Sequence, residues 1–108
     1  MTLLPSRMRP MTIYAVTYRY SDDVATRDRV RPEHREYLRG LADRGSLLLS
    51  GPFGPDEPAG GLLIFRAEDK DEVAALIEKD PFTITGVITS SETVEWDPVI
   101  GPLRSGIS

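Results

Sequence analysis

Six patterned runs follow one another along this chain as strand, helix, strand, strand, helix, strand, an order that few architectures accept. Residues 12–20 (TIYAVTYRY) are β-branched and aromatic, the composition of a strand. Residues 21–29 are polar and are expected to form a loop. Pro32 suits the first turn of a helix, where its missing N–H costs nothing. That helix is expected to run to about Arg44, with Gly45 as its C-terminal cap. Gly40 weakens it by about 0.5–1 kcal/mol relative to alanine, so close packing is expected there. Residues 46–53 (SLLLSGPF) and 61–67 (GLLIFRA) read as two further strands, joined by a stretch rich in Gly and Pro. Asp69 and Glu72 form an acidic variant of a capping box before a second helix. Val73, Ala74, Leu76 and Ile77 give that helix an apolar face, and Asp80-Pro81 is expected to stop it. Residues 86–96 (GVITSSETVEW) make the last strand.

This β-α-β-β-α-β order predicts an α+β, ferredoxin-like fold: a four-stranded antiparallel sheet with two helices on one face. In the first strand Tyr14, Val16 and Tyr18 point one way, and Ile13 and Ala15 the other. Both faces carry apolar groups. The face without helices therefore needs a cover, and a second copy packed sheet to sheet is the expected one. The domain is placed at 11–97. Residues 1–10 are expected to be a poorly ordered extension, and 98–108, with two prolines and two glycines, an irregular tail.

Two ionisable residues stand where apolar ones are expected. His34 is the single histidine of the chain. On a helix Leu38 lies about 40° from it and Leu41 about 20° to the other side, so His34 is on the inward stripe. In the second helix Asp80 follows Leu76 by four residues and Val73 by seven, and it too extends the buried stripe. At a helix C-terminus a carboxylate meets the negative end of the dipole and needs a donor. An imidazole would supply one. The pattern leaves two readings open: a pair of satisfied structural residues, or a His34–Asp80 dyad in which the carboxylate orients the ring and stabilises its protonated form while the ring exchanges a proton with a ligand.

Taken together, Arg31-Pro32-Glu33-His34, Ser50-Gly51-Pro52, Gly60-Gly61-Leu62-Leu63 and Asp80-Pro81-Phe82 followed by Gly86-Val87 resemble the YciI-like (YCII-related) family of small dimeric α+β barrel proteins. The resemblance spans about residues 11–97. It implies a ferredoxin-like homodimer with a His–Asp pair in a pocket, carried here by His34 and Asp80 as catalytic residues. It also implies acid–base chemistry, including elimination, on small organic acids or lactones without a cofactor. Ser50, Gly51 and Phe82 are the expected substrate-binding residues. Residues 82–85 (FTIT) are more polar than that pattern.

Composition narrows the alternatives. The chain has no cysteine, so disulfides and thiolate chemistry are excluded, and a cytoplasmic location is expected. One histidine and no cysteine speak against a metal site. A net charge of −4 argues against nucleic acid as a partner. No apolar run approaches the length needed to cross a membrane. The rivals to the acid–base enzyme are a non-catalytic module binding a small ligand, and a haem- or quinone-type monooxygenase-like barrel with His34 as a haem ligand.

Overall fold

The computed structural model of the protein describes residues 11–107. The expected extension 1–10 lies outside them. The elements are β1 (Thr12–Tyr20), α1 (Val24–Asp43), β2 (Leu47–Pro52), β3 (Gly60–Ala67), α2 (Lys70–Glu78), α3 (Pro81–Ile84), β4 (Ile88–Glu95) and α4 (Arg104–Ile107). The strands form one antiparallel sheet in the order β2-β3-β1-β4. This is the ferredoxin-like arrangement that the element order predicts. No helix among the described residues is long and apolar enough to cross a membrane.

Alternation along the strands decides which face is dry. Tyr14, Val16 and Tyr18 of β1 stand level with Phe65, Leu63 and Gly61 of β3. The side chains of Tyr14, Val16, Tyr18, Leu63 and Phe65 join Leu38 and Leu41 of α1 and Val73 and Ile77 of α2 in the main core. A smaller cluster of Val30, Phe82 and Val87 seals the far end of α1. The opposite face keeps Ile13 and Ala15 half-buried, while Leu49, Leu62 and Val94 are exposed.

Several local expectations need correction. Helix α1 begins at Val24, so residues 24–29 are not loop and Pro32 lies in the helix interior rather than in its first turn. The start is fixed by Asp23, whose carboxylate accepts from the Thr26 N–H at 3.1 Å and from its hydroxyl at 2.6 Å. Pro32 removes the bond the Asp28 carbonyl would accept, a cost of about 3 kcal/mol in an isolated helix. Burying Val30 one turn ahead of His34 extends the apolar stripe past the proline and works against that cost. The end of α1 is as expected: Gly45 takes φ +80° and donates to Ala42. No close packing explains Gly40, since a Cβ there would meet nothing within 4 Å. Gly60 is the tight position instead, where a Cβ would sit 2.1 Å from the Tyr18 carbonyl oxygen.

Helix α2 has the expected cap, with Asp69 accepting from the Glu72 N–H at 2.8 Å. Ala74, expected on its apolar face, is exposed at the edge of the stripe. The helix ends at Glu78 with Lys79 as its C-cap, just before Asp80-Pro81 as expected, and Asp80 also caps a new turn, α3. The reason is Pro81. A proline that cannot continue one helix is well suited to open the next. The polar residues of that turn are satisfied locally, Thr83 donating to the Ile77 carbonyl and Thr85 to that of Pro81, both at 2.7 Å. The tail is irregular from 96 to 100 but closes on one helical turn, α4.

Candidate functional site

Three elements bring the site together. Helix α1 delivers His34, α3 delivers Asp80 and Phe82, and β1 delivers Tyr18 from below. Asp80 is fully buried, yet no oxygen of its carboxylate is idle. Oδ1 accepts from the Phe82 N–H at 2.9 Å and faces His34 Nδ1 at 2.7 Å. Oδ2 accepts from the Tyr18 hydroxyl at 3.1 Å. The carboxylate therefore meets one donor of its own turn, the Phe82 N–H, and two partners from α1 and β1, rather than the negative end of α2, which corrects the dipole argument made from sequence. Burial, and then the neighbouring Asp80 charge, push the Tyr18 phenol far above its ordinary value. Tyr18 consequently stays a donor.

The imidazole is held on two sides. A carboxylate acceptor at Nδ1 places the ring proton there and leaves the Nε2 lone pair free in the neutral ring. Phe82 stacks on the ring face with centroids 3.8 Å apart and planes 5° from parallel. Among the described residues no hydrogen bond engages Nε2. No buried side-chain nitrogen or oxygen among the described residues lacks a partner, so Nε2 is reached by solvent. His34 lines a cavity of about 820 Å³ between α1, β2 and the β2–β3 loop. That volume suits a small organic ligand.

Ser50, Gly51 and Phe82 line the same cavity. A bulge places Ser50 there. The register between β2 and β3 slips by one residue between Leu47 and Leu49, so Leu47 faces the core but Ser50 stands level with core-facing Leu63. Without the extra residue Ser50 would point to the opposite face.

Sequence reasoning missed two features. Tyr18 reads as an ordinary core aromatic, and nothing in the sequence pairs its hydroxyl with Asp80. The second is a row of arginines, Arg27, Arg31, Arg35 and Arg39, all lining the cavity. Their spacing of four on α1 was a signal available in the sequence, obscured because residues 21–29 read as loop.

Comparison with known proteins gives four findings. The pattern of the YCII-related domain matches residues 11–97. A curated relative, derivative of benzaldehyde biosynthesis cluster protein C of Emericella nidulans, is 26% identical over 84 residues, covering 69% of this chain and 86% of the relative. Among solved structures, 5-chloro-2-hydroxyhydroquinone dehydrochlorinase (TftG) from Burkholderia phenoliruptrix, in complex with 2,5-dihydroxybenzoquinone, is similar at a TM-score of 0.68 and 26% identity, over 79% of this chain and 93% of that one. A dimeric protein of unknown function from Bacteroides fragilis shares the ferredoxin-like fold at a TM-score of 0.52 and 17% identity, over 81% of this chain and 95% of that one. With the domain pattern spanning β1 to β4 and the two ends of the His34–Asp80 contact lying inside it, the chain belongs to the YCII-related family.

Proposed function

We propose that the protein is a homodimeric, cofactor-independent acid–base enzyme that moves a proton on a small cyclic organic acid or lactone. The observation that carries this reading is the imidazole of His34: clamped by Asp80 and Phe82, with Nε2 free at a cavity wall. A histidine kept only for packing has no need of an oriented, unengaged nitrogen. In the proposed step Nε2 takes a proton from a C–H or O–H of the ligand. The released electron pair shifts a double bond or expels a leaving group such as chloride, and the imidazolium is stabilised across the 2.7 Å contact by Asp80. The dehydrochlorinase activity named for the structural relative is an elimination of this kind.

Two tests follow. Purified protein is expected to release chloride from 5-chloro-2-hydroxyhydroquinone, or to exchange deuterium into an unsaturated γ-lactone in D₂O, with nothing added. Turnover that persists unchanged in His34→Gln would overturn the assignment.

The dimer is the second expectation. Leu49, Leu62 and Val94 sit exposed on the helix-free face around Ala15, and the Bacteroides fragilis protein of similar fold is described as dimeric. A stable interface buries about 1,200–2,000 Å² in total. Sedimentation at micromolar concentration should show a particle of two 12.0 kDa chains. Leu62→Glu should shift it to one; a wild-type monomer would remove the dimer.

A further inference from the structure

The cavity carries a charge that the chain as a whole does not. The protein has a net charge of −4, yet the charged residues lining the cavity are four arginines against the single carboxylate of Glu57. Asp80 lies behind His34 and is not part of the lining. Like charges four apart on a helix destabilise it by a small amount per pair. Every cation within α1 is an arginine; the two lysines of the chain are Lys70 and Lys79. The planar guanidinium fork of these side chains matches an oxyanion with paired N–H donors.

The four arginines are not equivalent. Arg27 is tied down, donating to the Ser21 carbonyl at 2.9 Å with its guanidinium 5.6 Å from the Tyr20 ring centroid. Arg39 is far along the helix and pairs loosely with Glu36 at 3.7 Å. Arg31 is half-buried and is positioned by Asp28 at 2.8 Å. Arg35 has no ion pair or hydrogen bond among the described residues. These last two flank His34 in the sequence, one turn before it and one residue after it. Their charge is felt inside the cavity: with Arg27 they oppose the rise that burial and Asp80 impose on the Tyr20 phenol.

We infer that Arg31 and Arg35 form an oxyanion subsite beside His34 that selects an ionised organic acid, the anion seated on the guanidinium forks while the reacting part of the molecule faces Nε2. The inference rests on the acid–base reading for the reacting end only. It decides between the two ligand classes left open there, in favour of the acid and against the neutral lactone.

A matched pair of probes tests it. 4-Hydroxybenzoate and 4-hydroxybenzamide share ring and size and differ in charge. Binding is read by NMR titration of the single imidazole, with heat measured by calorimetry for variants lacking it. The wild type should bind the carboxylate about tenfold tighter than the amide or better. Arg31→Gln and Arg35→Gln should each lose part of that preference, and the double variant should bring the two probes to parity. Arg35→Lys should recover only part of it. A wild type that binds both probes equally or neither, or a double variant that keeps the preference, would overturn the subsite. His34→Gln should keep the preference for the carboxylate. If His34→Gln also keeps full turnover, the acid–base reading fails while the subsite stands.

Discussion

Asp80→Ala should destabilise the protein by about 3–5 kcal/mol, the usual cost of removing one partner from a buried polar pair. The carboxylate is inaccessible and serves three donors at once, so its loss strands the Tyr18 hydroxyl, the Phe82 N–H and His34 Nδ1 together. An unsatisfied buried group costs about 1–3 kcal/mol, and the void left by the carboxylate adds to this. Domains of this size are stable by only about 5–15 kcal/mol, so a large share of the total is at stake. Asp80→Asn is the control. Its amide oxygen can occupy the Oδ1 position between Phe82 and His34, and its amide N–H₂ can donate to a Tyr18 hydroxyl turned round as acceptor. That variant should lose no more than about half as much. Urea denaturation of the three proteins measures both values. If Asp80→Ala unfolds at the wild-type midpoint, the carboxylate does not hold α3 against α1.

The order of elements and the faces of the strands were legible because they rest on periodicity alone. Tyr14, Val16 and Tyr18 alternate with Ile13, Ala15 and Thr17, and no turn chemistry can change that. The approach of His34 to Asp80 was legible for a similar reason: each is a polar residue in register with an apolar stripe. What failed depended on competition between local signals. Pro32 was a sound start signal, overridden because Asp23 caps an earlier turn and Val30 supplies one more buried contact. Asp80-Pro81 carried two meanings, stop and start, and only the stop was read. Ser50 reached the cavity through a bulge that no residue of β2 announces. Tyr18 needs the tertiary structure itself, since its partner is 62 residues away.

Those placements make an ordered series of rates the strongest test of the chemistry. On any substrate the protein turns over, His34→Gln should cost about 10²–10⁴-fold, the range for a positioned acid–base group. Asp80→Asn should cost less, about 10–100-fold, because the amide oxygen held by the Phe82 N–H still fixes the Nδ1–H tautomer and only the charge facing the imidazolium is lost. Tyr18→Phe removes one donor from the far oxygen of Asp80 and touches nothing in the cavity. It should lower kcat a few-fold, about the effect of one neutral hydrogen bond, and leave KM where it was. A role confined to stability predicts a different pattern: the active fraction falls with the denaturation midpoint, and the surviving molecules keep the wild-type kcat. Measuring rates at a temperature where all three variants are folded separates the two. A Tyr18→Phe or Asp80→Asn protein slower than His34→Gln would mean that the proton does not pass through Nε2, because residues that act through the imidazole cannot matter more than the imidazole itself.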